Sequence, residues 1–181
     1  MNRISIFCGS SPGNRPEYLQ VARKIGTLLA DRGIGLVYGG ANVGLMGAVA
    51  DAALSRGGYV IGVIPRALVE KEVAHKHLTD LRIVGSMHER KAMMAELSDA
   101  FIALPGGFGT MEEFVEVLTW SQLGLHAKPC GLLNVAGYYD PLLSFFRHSV
   151  KEGFVSPAHE SLVLSDADPG KLVDRLASWR P

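Results

Sequence analysis

Short apolar runs alternate with longer segments of helical period along this chain, an order that predicts an α/β protein with a Rossmann-like, doubly wound parallel sheet in three α/β/α layers. Two further observations point the same way. The apolar runs carry few charges, as strands covered on both faces should, and three of them end in glycine-rich loops. The predicted strands are Ile4 to Cys8, Gly35 to Tyr38, Tyr59 to Ile64, Ala100 to Leu104 and Cys130 to Asn134. The helices between them are Pro16 to Arg32, Gly44 to Arg56, Met87 to Ser98, Thr110 to Leu123 and Pro141 to Glu152, with a short final strand and helix near the end.

A chain of 181 residues, 48% hydrophobic and 20% charged, suits one core, and no composition break or repeat divides it. Residues 1–181 are therefore expected to form a single α/β domain. Eighteen basic and 18 acidic side chains cancel, so no global field draws the protein to nucleic acid or to an anionic membrane. Cys8 and Cys130 lie in apolar runs and are expected as buried thiols rather than as a disulfide. No stretch reaches transmembrane length and the start lacks signal-peptide character, which points to a cytoplasmic location.

In an open parallel sheet, ligands bind beyond the carboxyl ends of the strands, where helix-start amides face them. Three loops qualify: Gly9 to Gly13, Gly39 to Gly44, and Pro105 to Thr110. In the last, Gly106, Gly107 and Gly109 allow positive φ and close backbone approach, and Thr110 adds a hydroxyl, a combination suited to phosphate. A tight strand-to-helix turn would need the same glycines. None of the loops is a P-loop or a full dinucleotide fingerprint.

Thr110 and Glu113 stand at capping-box spacing, so Glu113 has two readings: a structural cap, or a carboxylate beside the phosphate loop within reach of a sugar. Ser86 and Glu89 repeat that spacing and place Arg90 and Lys91 in the first turns of the next helix, where the dipole disfavours positive charge. An anion opposite them would offset that penalty; extension into water is the alternative. His88-Glu89 is not a zinc-protease helix, because Ala92 occupies the second ligand position, and no metal site is expected. His75 and His77 are assigned to solvated surface or a satisfied hydrogen bond, and Met87, Met93, Met94 and Met111 to the core or an apolar pocket wall. The serine-hydrolase elbow is missing around Ser10.

Ser86 to Lys91, followed by Leu104 to Glu113 with its Pro-Gly-Gly-x-Gly-Thr-x-x-Glu pattern, resembles the Lonely Guy (LOG) family, the cytokinin riboside 5′-monophosphate phosphoribohydrolases. The resemblance extends through Phe7 to Ser11, Tyr38 to Gly40 and Leu118 to Gly124. It implies hydrolysis of the N-glycosidic bond of an N6-modified adenosine 5′-monophosphate, with AMP as a further candidate substrate and no cofactor. By the same resemblance Arg90 and Glu113 would be catalytic. The loop Gly106, Gly107, Phe108, Gly109, Thr110 and Met111 would hold the phosphate, while Lys91, Glu112 and Thr119 would contact the nucleotide and Glu72 would lie near the substrate. The small-molecule nucleotide would be the partner, together with a second copy of the chain in a homodimer. The competing expectation is a nucleotide carrier or sensor without chemistry. Some relatives carry the label lysine decarboxylase, a reaction that needs a Schiff-base lysine, and no motif supports it.

Overall fold

The computed structural model describes residues 1–69 and 74–180. The elements run β1 (Arg3–Phe7), α1 (Pro16–Asp31), β2 (Gly35–Tyr38), α2 (Gly44–Ser55), β3 (Val60–Pro65), α3 (Arg66–Val69), β4 (Asp80–Val84) and α4 (Met87–Leu97). They continue as β5 (Ala100–Ala103), α5 (Phe108–Gln122), β6 (Cys130–Leu133), α6 (Asp140–Lys151), α7 (Pro157–Glu160), β7 (Val163–Asp166) and α8 (Pro169–Ser178). All strands pair in parallel, in the order β4-β3-β2-β1-β5-β6-β7. The chain winds outward from β1 to β4, then returns to lay β5 beside β1. That reversal makes the β1/β5 boundary the switch point of the sheet.

Most predicted elements lie within one residue of their observed ends. Strand β4 was not foreseen. It borders β3 alone, its residues alternate between half-buried and exposed, and an Asp80–Arg82 ion pair of 3.0 Å breaks its apolar pattern. Leu81 and Ile83 are left on the solvent side.

Alternation along each strand divides the interior in two. Ile4 and Ile6 of β1, with Leu36, Tyr38 and Ile102, pack beneath α1, α2 and α8, whereas Phe7, Val37, Ile61 and Phe101 pack beneath Met94, Phe114 and Tyr139 on the other face. Each fully buried aliphatic or phenyl side chain contributes about 1.5–3 kcal/mol. Helices α1 and α2 touch closely, since a Cβ on Gly26 would stand 2.3 Å from the Val49 carbonyl oxygen.

The C-terminal helix α8 is held by its N-cap, Asp168, whose carboxylate accepts from the amides of Gly170 and Lys171 and pairs with Lys24 at 2.8 Å. The Lys24 hydrogen bond, helped by those amides, holds the Asp168 carboxyl down to about 2. A carboxyl depressed below its unfolded value of about 3.9 contributes stability above that value and loses it as pH falls toward 2. Asp168→Ala is accordingly expected to lower the melting temperature at pH 7, with the difference from wild type closing between about pH 4 and pH 2 in a pH series of thermal melts. Among the described residues no helix is long and apolar enough to cross a membrane.

Candidate active site

Three loops meet at the switch point because their backbones are tied together. The Gly9 amide donates to the Pro105 carbonyl at 3.1 Å, and the Leu45 amide donates to the Gly9 carbonyl at 3.0 Å. Gly40 and Gly44 supply positive φ, 80° and 53°, and at Gly44 a Cβ would stand 2.4 Å from the Ser10 carbonyl. The loops enclose a cavity of about 300 Å³ whose wall is completed by the start of α5 and by one face of α4.

The glycines of the third loop work differently from the expectation. None of Gly106, Gly107 and Gly109 has positive φ, and space within the protein demands glycine at Gly106 alone. A Cβ on Gly106 would fall 2.1 Å from Thr110 Oγ1, so that glycine closes the turn, whereas no protein atom lies within 4 Å of a Cβ on Gly107 or Gly109. Helix α5 also begins at Phe108 with Gly107 as its N-cap, two residues before the expected start, and no side chain caps it. Thr110 is therefore not the cap, and the capping-box reading of Glu113 is withdrawn. The first-turn amides, which have no intrahelical acceptor, sit in the cavity wall at Phe108, Gly109 and Thr110. Gly109→Ala is expected to leave the melting temperature unchanged or slightly raised while weakening nucleotide binding roughly tenfold, the size of an overpacked contact. Gly106→Ala should instead lower stability, and thermal melts with ligand titrations separate the two.

Helix α4 starts as its sequence suggests. Ser86 Oγ accepts from the Glu89 amide at 3.1 Å, and Glu89 Oε2 reaches back to the Gly85 amide at 2.8 Å. This brings Arg90 in from the surface: it is 6% exposed, and its guanidinium occupies the space a Cβ on Gly39 would need, with Nη2 only 1.9 Å from that position. Arg90 donates weakly to the Gly39 carbonyl at 3.4 Å and to Met87 Sδ at 3.8 Å, and its buried Nε has no hydrogen-bond partner among the described residues. Among the described residues no carboxylate pairs with this buried cation on the cavity wall.

Lys91, by contrast, has two carboxylate partners among the described residues. Its ammonium contacts Glu112 at 2.5 Å and Glu116 at 3.0 Å on α5, and the Glu112 hydrogen bond holds its pKa above the usual lysine range. Glu113 lies on the cavity wall one turn beyond the open amides, beside Glu112. Burial, and then the charge of Glu113, push the Cys8 thiol far up, so this cavity-lining sulfur stays protonated and is no nucleophile.

The structure thus brings Arg90, Gly107, Phe108, Gly109, Thr110, Glu112 and Glu113 to one cavity. Phe108 stands at its edge, 96% exposed. Gly106 borders an adjoining cavity, Met111 packs into the core and Lys91 faces its two glutamates. Thr119 is exposed three turns along α5 and donates to the Val115 carbonyl, away from this wall. Glu72 lies outside the described residues. Met87, half-exposed, joins the cavity wall, as do Met46 and Leu68, which ordinary apolar patterning hides in the sequence. His75 is buried with its Nε2 2.9 Å from Asp51, which favours the hydrogen-bonded alternative over solvated surface. Both cysteines are free thiols, and among the described residues no cluster of His, Cys, Asp and Glu could hold a metal.

Helix-start amides, a carboxylate and a buried guanidinium line one cavity at the switch point of a Rossmann-like sheet. A protein-family model described as "possible lysine decarboxylase" matches residues 46–176. The chain is 50% identical over 179 residues to the cytokinin riboside 5′-monophosphate phosphoribohydrolase LOG1 of Arabidopsis thaliana, covering 99% of this chain and 84% of that one. It is 57% identical over 162 residues to the cytokinin riboside 5′-monophosphate phosphoribohydrolase of Rhodococcoides fascians, covering 89% and 82%. The chain belongs to the Lonely Guy family of phosphoribohydrolases. Among solved structures, the molybdenum cofactor binding protein of Rippkaea orientalis superposes with a TM-score of 0.73 at 23% identity over 98% of this chain and 96% of that one, a likeness of fold.

Proposed function

We propose that the protein hydrolyses the N-glycosidic bond of cytokinin riboside 5′-monophosphates, N6-modified adenosine 5′-monophosphates, giving the free base and ribose 5-phosphate. The observation that carries this reading is the buried Arg90, without a carboxylate partner among the described residues, on a cavity that also holds open helix-start amides and Glu113. The 5′-phosphate sits against the amides of Gly107 to Thr110, and the Thr110 hydroxyl adds a donor. Held there, the sugar places C1′ toward Glu113. The bond from C1′ to the base nitrogen breaks with its electron pair leaving on the base, water adds to C1′, and the proton released by water balances the base. Glu113 stabilises the oxocarbenium-like charge and orients the water. Arg90, always protonated, orients Glu113 and the nucleotide and balances their charge.

Lysine decarboxylation fits less well, because it needs a lysine in the cavity to hold pyridoxal phosphate. Among the described residues none lines it, and Lys91 is bound by two carboxylates. The reading includes a cytoplasmic homodimer, supported by two buried free thiols and by apolar surface on and after α5, where Val115, Leu123 and Leu125 are exposed. Light scattering on purified protein tests the dimer. The activity is tested by incubating the protein with isopentenyladenosine monophosphate and with AMP and following base and ribose 5-phosphate by chromatography. Absence of both products with either substrate overturns the proposal.

A further inference from the structure

Three consecutive carbonyls lead into the glycine loop, and each is held by a separate donor. The Leu104 oxygen accepts from the Tyr139 hydroxyl at 2.5 Å, the Pro105 oxygen from the Gly9 amide at 3.1 Å, and the Gly106 oxygen from the Tyr138 hydroxyl at 2.6 Å. The two phenols come from the segment between β6 and α6, which is built at some cost. Ala136 is the one non-glycine residue with positive φ among those described, at 53°, and Gly137 follows at 71°. Asn134 secures this turn, accepting from the Tyr139 amide at 2.7 Å and donating to Asp140 at 2.7 Å. Tyr139 is buried, while Tyr138 is 38% exposed, stands edge-on to Tyr18 and borders the cavity adjoining the active one.

We infer that Tyr138 and Tyr139 are positioning residues for phosphate recognition: they fix the carbonyls of Gly106 and Leu104 so that the loop offers its amides to the anion. A Gly-Gly peptide is among the easiest to turn, and a free Gly106 carbonyl could rotate its oxygen toward a phosphate and its neighbour's N–H away. The Tyr138 hydroxyl removes that freedom before ligand arrives, which is preorganisation of an anion site. The strained Ala136 turn is explained by the same requirement, since it delivers two adjacent phenols to carbonyls two residues apart. This inference rests on the placement of phosphate at Gly107 to Thr110.

Tyr138→Phe deletes the donor and keeps the ring. It is expected to weaken ribose 5-phosphate about fivefold in calorimetry, the value of one neutral hydrogen bond, and to raise KM by a similar factor with kcat changed less than about twofold. Affinity for free adenine, which has no phosphate, should not change, nor should the melting temperature by more than a few degrees. Tyr139→Phe, at the buried neighbour, is expected to show the same selective loss. Unchanged ribose 5-phosphate affinity in both variants, or equal losses for ribose 5-phosphate and adenine, would refute a positioning role. Wild-type protein that binds adenine but not ribose 5-phosphate would overturn the phosphate placement itself, and with it this inference, before any variant is made.

Discussion

Glu113→Gln is expected to bind nucleotide within about threefold of wild type and to turn it over 10²- to 10⁴-fold more slowly, the range for losing a positioned catalytic carboxylate. The substitution preserves shape and removes negative charge, so it isolates electrostatic stabilisation of the developing oxocarbenium ion from contact with the sugar. It also spares the helix. Glutamine keeps the size of the side chain and an oxygen that accepts, and α5 takes its cap from Gly107 rather than from this residue. The variant should melt within a few degrees of wild type, and single-turnover chromatography gives the rate. Turnover within tenfold of wild type would assign the water-activating role to another group.

Arg90→Met is expected to separate stability from function. The guanidinium is buried, its Nε has no acceptor among the described residues and its bond to the Gly39 carbonyl is long, so a methionine of similar length should raise the melting temperature by a few degrees. Activity should move the other way, with kcat/KM falling roughly 10²- to 10³-fold as the bound nucleotide and Glu113 lose a buried cation. Arg90→Lys should rescue little of this, because an ammonium is a point charge and cannot reproduce the planar fork. Calorimetry and initial rates on the same preparations decide the matter. A lower melting temperature with unchanged kcat/KM would make Arg90 a structural residue.

The sheet was legible because strands covered on both faces must be apolar, and β2 is found at the residues its pattern marks. Strand β4 was hidden by its position: an edge strand is covered less, keeps charges such as Asp80 and Arg82, and loses the run that marks its neighbours. The start of α5 was misplaced because Thr110 and Glu113 imitate a capping box, whereas the true cap is a glycine that leaves the amides open. The phosphate proposed for that first turn would account for the missing side-chain cap. Charge against the helix dipole singled out Arg90 and Lys91 equally. Only the packing of α4 on α5 shows that Glu112 and Glu116 answer Lys91 while Arg90 turns into the cavity. Tyr138 and Tyr139 looked like ordinary loop aromatics, since nothing in sequence distance ties them to carbonyls 32 and 35 residues earlier.

The bridge from Lys91 to Glu112 joins the chain neighbours of Arg90 and Glu113. The two side chains proposed for the chemistry are thereby mounted on jaws riveted one residue away from each tooth. Any parting of α4 from α5 would have to break the contacts of Lys91 with Glu112 and Glu116.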